Sequence, residues 1–177
     1  MKCYSSDLSA SEFPDRGQAG IKSQVSPLPV HFSSATDEWA TPQWLFDALN
    51  KEFGFTLDVC STHKNAKCRR HFTRDENGLK ASWAGEIYWM NPPYGTTIKY
   101  WMSKAYESSA HKGATVVCLV PARTDTAWWH LFAMKHEIRL LKGRLKFGDG
   151  TGSAPFPSAI IVMRPSSFRF IGFPTKQ

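Results

Sequence analysis

Two consecutive prolines behind a run of large apolar residues limit this chain more than any other feature: Ile87-Tyr88-Trp89-Met90 runs straight into Asn91-Pro92-Pro93-Tyr94. Four apolar or aromatic residues in succession predict a short buried strand. Proline donates no N–H and cannot continue a ladder, so the chain must leave the sheet at Asn91. A primary amide is thereby set at a strand end. The carbonyls of Asn91 and Pro92 cannot be tied up by a turn donated from Pro92 or Pro93, which leaves them able to accept from another group. Tyr94 adds a flat aromatic face one step on. Amide oxygen, carbonyl and ring together suit a planar group carrying an exocyclic NH2, the description of a nucleobase.

The remaining pattern predicts one α/β domain. At 177 residues, 42% of them hydrophobic, the chain can fill a single core. Residues 1–34 are rich in Ser, Pro and Gly without sustained periodicity and predict a mobile N-terminal arm, leaving 35–177 as the folded domain. Thr41 suits an N-cap with Pro42 at the first helical position, and Trp44, Leu45, Ala48, Leu49 and Phe53 recur at helical spacing up to Gly54. Phe55–Val59 alternates apolar with polar residues, which predicts the first sheet strand with Asp58 near its C-terminal end. The segment Ser61–Ser82 carries His63, Lys64, Lys67, Arg69, Arg70, His71 and Arg74, then Asp75-Glu76 and a turn at Asn77-Gly78. A short strand fits Arg70–Thr73 within it. These charges suit either a solvated loop or one that faces phosphates.

Beyond the prolines, a helix fits Ile98 to about Ala110, and Thr115–Val120 is a continuous apolar strand closed by Pro121. Strand, helix and strand in that order give the parallel crossover. Asp125 or Thr126 can cap a further helix carrying Ala127, Trp128, Leu131, Phe132 and Met134. Glu137–Leu141 and Ser158–Met163, joined by the Gly-rich Gly143–Pro157 with no helical pattern between them, predict an antiparallel pair at one edge of a mostly parallel sheet.

A net charge of +7 with only 21% charged residues favours a polyanionic partner, and seven tryptophans offer stacking surfaces beyond the needs of a core. No run reaches the ~18 apolar residues of a membrane span, and the N-terminus lacks a signal-peptide apolar stretch, so a cytoplasmic location is expected. Cys3, Cys60, Cys68 and Cys118 have no disulfide rhythm and should be reduced. The spacings Cys60-x2-His63 and Cys68-x2-His71 invite zinc, yet Cys60 follows directly on a predicted strand and the pairs stand too close for a finger. No metal is expected. A zinc deaminase and a P-loop enzyme are disfavoured because their signatures are missing.

Three predicted strands end in functional-looking groups: Asp58-Val59-Cys60-Ser61, Asn91-Pro92-Pro93-Tyr94 and Pro121-Ala122-Arg123-Thr124-Asp125. In open α/β sheets ligands bind outside the carboxyl ends of strands. Asn91-Pro92-Pro93-Tyr94 after an apolar strand resembles the catalytic motif of amino-directed methyltransferases that use S-adenosylmethionine. Together with Trp39-x-Thr41-Pro42, Leu57-Asp58-Val59-Cys60, Asn65-Ala66-Lys67-Cys68, Leu119 to Asp125 and Gly143-Arg144-Leu145-x-Phe147, it resembles the compact phage-type DNA adenine-N6 methyltransferase (Dam-like) family. That match runs from about Trp39 to Arg164.

The resemblance implies a Rossmann-like methyltransferase domain that is reduced between its first and fourth sheet strands: Cys60-Ser61 stands where the broad superfamily has a glycine-rich turn, and the 33 positions from Asp58 to Asn91 (91 − 58) are too few for a full helix, strand and helix. It implies that Asn91 and the Pro92 carbonyl accept from the adenine N6 amino group, that Pro93 completes the catalytic motif, and that Tyr94 stacks on a base flipped from the duplex. Cofactor contacts fall to Trp39, Thr41, Pro42 and Asp58, with Asp75 a candidate for the ribose by position. Contacts to double-stranded DNA fall to Arg123, Arg144, Lys67, Arg69 and Arg70. Sequence choice would come from the loops Ser61–Arg74 and Lys142–Pro157, with GATC as the target the family suggests. No feature calls for an obligate protein partner. Cytosine N4, an RNA adenine or a protein glutamine would suit the same clamp chemically, and a non-enzymatic nucleic-acid binder would use the same charge and aromatics.

Overall fold

A computed structural model describes residues 39–148 and 152–165. The predicted arm at 1–34 lies outside these residues, as do positions 35–38 and 166–177 of the predicted domain. Among the described residues one five-stranded open sheet is flanked by three α-helices, giving a mixed α/β fold. None of the helices is long and apolar enough to cross a membrane.

Helix α1 spans Gln43–Phe53 and buries Leu45, Phe46 and Leu49. It ends at Gly54, whose φ of 69° is the left-handed conformation that only glycine adopts without strain. Strand β1 follows at Leu57–Asp58, β2 at Ile87–Met90, helix α2 at Ile98–Lys112 and β3 at Thr115–Pro121. Helix α3 covers Ala127–Leu131, a 3-10 turn covers Ala133–Lys135, and β4 (Glu137–Leu140) and β5 (Ser158–Met163) complete the sheet. The spatial order is β1-β2-β3-β5-β4. β1, β2 and β3 pair in parallel, and β5 runs antiparallel to both β3 and β4. The antiparallel pair predicted at one edge is present.

The continuous apolar runs of β3 and β5 occupy the centre, with Val116 to Val120 and Ala159 to Ile161 fully buried. Because β1 and β2 are parallel and in register from Leu57↔Tyr88 to Asp58↔Trp89, their carboxyl ends emerge on one rim. That rim carries Asp58 and Asn91 together.

Three local expectations change. The strand predicted over Phe55–Val59 contracts to Leu57–Asp58, because after Asp58 the backbone turns to meet its own carboxylate. The strand predicted near Arg70–Thr73 is a single bridge, His71 to Asp58, flanked by bonds from Asp58 N–H to the Arg70 carbonyl and from Phe72 N–H to the Asp58 carbonyl. Thr126 does not cap α3 through its side chain. Its hydroxyl donates to the Arg123 carbonyl at 2.8 Å, and α3 stops after five residues.

The segment between β1 and β2 is held down by Trp83, which is fully buried, lies 5.7 Å from the Tyr88 ring and donates its indole N–H to the Gly78 carbonyl at 2.9 Å. Gly78 presses against the backbone just after β1 so closely that a Cβ there would stand 2.1 Å from the Val59 carbonyl oxygen and 3.4 Å from Phe72 Cβ. Backbone cannot swing aside as a side-chain end can. We therefore expect Gly78→Ala to lower unfolding free energy by about 3 kcal/mol, at the upper end of overpacking costs. A urea midpoint unchanged from the parent would show that this segment yields instead.

Candidate active site

Asn91 leaves β2 with both ends of its side-chain amide hydrogen-bonded. Its Nδ2 donates to the Trp39 carbonyl and, at 3.0 Å, to Thr41 Oγ1, while the Tyr94 hydroxyl donates to its Oδ1 at 2.8 Å. A carbonyl can only accept, so the NH2 end of the amide must face Trp39 and the oxygen must face the other way. Thr41 is 5% exposed, and its hydroxyl is an acceptor for Asn91 rather than the cap of α1. Pro42 takes the cap position, and α1 has no side-chain cap.

Tyr94 departs from expectation in the same way. It is 2% exposed, its hydroxyl lies 3.3 Å from the Leu119 carbonyl as well as against Asn91, and its ring meets Phe147 at 6.0 Å and Phe156 at 5.5 Å edge-on. The ring is a wall of the core with no open face, so the exposed stacking surface expected of it is not found. Trp39 packs against the same two phenylalanines at 5.2 and 5.1 Å, and the Gly148 N–H donates to the Ala40 carbonyl at 2.8 Å. Trp39–Thr41 is thus held by β2 on one side and by the loop before β5 on the other. The apolar alternation Leu145-x-Phe147 was the sequence signal for that packing.

Asp58 is 2% exposed and organises the loop that follows it. Oδ1 accepts from Cys60 N–H at 3.2 Å and Oδ2 from Lys67 N–H at 3.0 Å. Burial raises its carboxyl above the ordinary value, and those two N–H groups oppose the shift. Burial also pushes the Tyr94 hydroxyl and the Cys60 thiol well above their usual values, with the Asp58 charge adding to the effect on Cys60 and the Asn91 N–H opposing it. Cys68 is pushed up to about 12, again mainly by burial.

A cavity of about 750 Å³ opens beside this cluster. Its lining joins Trp39, Thr41, Asp58, Cys60, Asn91 and Pro92 to a polar side formed by Asn65, Lys67, Arg74 and Asn77. Pro93, Trp89 and Trp101 also reach it. Of the residues expected to hold a cofactor, Trp39, Thr41 and Asp58 line the cavity, whereas Pro42 and Asp75 are not among its lining residues. Arg74, next to Asp75 in sequence, is. The third strand end contributes Leu119 to Tyr94, but Arg123 is exposed and outside the lining.

The expected DNA-contacting cations are spread out. Lys67 lines the cavity with its Nζ donating to Gln43 Oε1 at 2.8 Å. Arg69 and Arg70 line a separate depression of about 330 Å³ with His63 and His71, and Arg70 is paired with Glu86. Arg144 is exposed on the loop before β5. His63 Nδ1 and His71 Nε2 share a hydrogen bond of 2.9 Å, and among the described residues no three His, Cys, Asp or Glu side chains gather as a metal-binding group.

A family model described as DNA N-6-adenine-methyltransferase (Dam) matches residues 31–166. The chain is similar to the DNA N-6-adenine-methyltransferase of Haemophilus phage HP1 (strain HP1c1), 29% identical over 143 residues that cover 76% of this chain and 82% of that protein. It is also similar to the protein of the same name from Escherichia phage T1, 30% identical over 95 residues that cover 52% of this chain and 39% of that protein.

Asp58 also sets a pH dependence. A carboxyl raised on folding holds its proton to higher pH than in the unfolded chain, so its contribution favours folding most below the unfolded value of about 3.9 and is lost as pH rises through the folded value. The stability difference between the parent and Asp58→Asn should therefore decline from about pH 4 upward and then level. Urea unfolding across that range tests it. A difference that grows with pH would mean that the Cys60 and Lys67 N–H groups outweigh burial.

Proposed function

The chain belongs to the DNA N-6-adenine-methyltransferase (Dam) family, and from that premise we propose that it transfers a methyl group from S-adenosylmethionine to the exocyclic N6 of an adenine flipped out of double-stranded DNA. The observation that carries this reading is the fixed polarity of Asn91, whose Oδ1 faces away from Trp39 and keeps a lone pair beyond the one Tyr94 uses. That lone pair and the Pro92 carbonyl accept the two N6 hydrogens. Adenine is held with its amino lone pair clear of both acceptors.

The cavity's donor set fits the cofactor. Lys67 and Arg74 are cations for its carboxylate, Asn65 and Asn77 are amides for its polar groups, and Trp39 and Trp101 give aromatic surface for its adenine ring. When bound, S-adenosylmethionine supplies an electrophilic methyl on sulfonium. In the transfer an N6–CH3 bond forms, the S–CH3 bond breaks, and one N6 proton passes to solvent. An aryl amine attacking a sulfonium needs placement more than a strong base.

In this reading residues 35–177 are a compact Rossmann-like methyltransferase domain acting where DNA is, in the cytoplasm of a bacterial host. Asn91 and the Pro92 carbonyl form the acceptor edge, Pro93 completes the motif at the cavity wall, and Tyr94 orients Asn91 from within the core. Arg123, Arg144, Arg69 and Arg70 are left as phosphate contacts. The net charge of +7 supports a polyanionic substrate.

Purified protein with labelled S-adenosylmethionine and unmodified duplex DNA should yield N6-methyladenine, and Asn91→Ala should lower transfer by at least about a thousandfold while retaining cofactor and DNA binding. Label recovered in cytosine, or undiminished transfer by the variant, would overturn the adenine clamp.

A further inference from the structure

Asn91 meets two oxygens at one end of its side chain. One, the Trp39 carbonyl, has no proton to give, and the other, Oγ1 of the buried Thr41, accepts from Asn91 Nδ2 at 3.0 Å. The far end meets Tyr94, whose hydroxyl donates. A side chain at position 91 must then donate at the Trp39 end and accept at the Tyr94 end. An amide meets both conditions. An ionised carboxylate of the same shape meets only the second and would set an acceptor against the Trp39 carbonyl.

We propose that Trp39 and Thr41 form a polarity lock on Asn91, with Thr41 a positioning residue for methyl transfer and an amide, not a carboxylate, the required group at position 91. The lock rests on the reading of Asn91 as the acceptor for the adenine amino group. It gives the Trp39–Thr41 segment a task separate from holding the cofactor, because the contacts to Asn91 are already made in the protein alone. It also explains why Thr41 is spent on Asn91 while α1 begins without a side-chain cap.

The groups facing position 91 decide the pH behaviour of a substituted carboxyl. Tyr94 and Cys60 are held protonated by burial, Cys118 on β3 is buried behind Cys60, and Asp58, Lys67 and Arg74 line the same cavity. A carboxyl in Asn91→Asp that takes up a proton regains a donor for the Trp39 carbonyl and an oxygen for the substrate.

With the full chain, duplex DNA and labelled S-adenosylmethionine, Thr41→Val should lower kcat by about ten- to a hundredfold with KM for the cofactor within about twofold, and Thr41→Ser should restore kcat. A raised cofactor KM with kcat unchanged would assign Thr41 to cofactor binding and overturn the lock. Asn91→Asp should lose transfer near about pH 8 and recover it relative to the parent as pH falls. Activity equal to the parent at that pH, or a loss that acid does not relieve, would remove the donor requirement. If the parent itself transfers no methyl to DNA, the functional reading fails but the lock is still measured by NMR. The Asn91 side-chain NH2 signal, identified by its disappearance in Asn91→Ala, should exchange slowly in the parent and in Thr41→Ser and faster in Thr41→Val. Equal exchange in all three would overturn the lock.

Discussion

A primary amide at the end of a buried strand has two N–H donors and an oxygen to satisfy, and an end left unpaired costs more than a typical hydrogen bond returns. At Asn91 this demand draws three distant parts of the chain together. The NH2 end takes the Trp39 carbonyl and Thr41, more than forty positions earlier, and the oxygen end takes Tyr94 from the turn that the prolines force. The Gly148 N–H then bonds the Ala40 carbonyl, and Phe147 and Phe156 fill the space between Trp39 and Tyr94. Strand end, entry segment and the loop before β5 are one packed unit. Loosening any of the three would let the amide turn.

Asp58 does the corresponding work on the neighbouring strand. Where a longer α/β chain could spend a glycine-rich turn and a helix, this one turns at once and folds the Cys60–Lys67 loop back on a buried carboxylate. Both carboxylate oxygens are taken by backbone N–H groups, which makes Asp58 a scaffold for the cavity wall as much as a group facing the cavity. The His71 bridge and the contact of Gly78 with Val59 close the same short segment over β1. Its compactness therefore depends on one acid and one missing side chain.

Period and composition made the sheet legible. β2, β3, β5 and α2 fall close to their apolar patterns, and the prolines located the strand end that carries Asn91. Tertiary partners were not legible. Thr41-Pro42 reads locally as a capped helix start, yet the threonine hydroxyl finds a buried amide from β2, a partner no local rule supplies. Tyr94 reads as exposed because it follows a strand end, yet the loop before β5 covers it with Phe147 and Phe156. Asp75 suits the ribose only by its position in the chain, and the turn Arg74–Gly78 gives Arg74 and Asn77 to the cavity instead. Each miss is a side chain whose role is set by what packs against it from far along the chain.

Burial around Asn91 also decides what chemistry the site can perform. Tyr94 and Cys60 stand next to the amide, and either would be a base or nucleophile if it ionised, but burial holds both protonated and Asp58 adds to the cost of a thiolate. The carboxylate of Asp58, which lines the same cavity, is itself disfavoured by burial and occupied by the Cys60 and Lys67 N–H groups. What remains at the strand end is a set of neutral donors and acceptors with fixed direction. Such a set cannot take a proton from a poorly acidic substrate, but it can hold a planar amine in one orientation, and for transfer to an amine nitrogen that already carries its own lone pair, orientation is the larger share of what must be supplied.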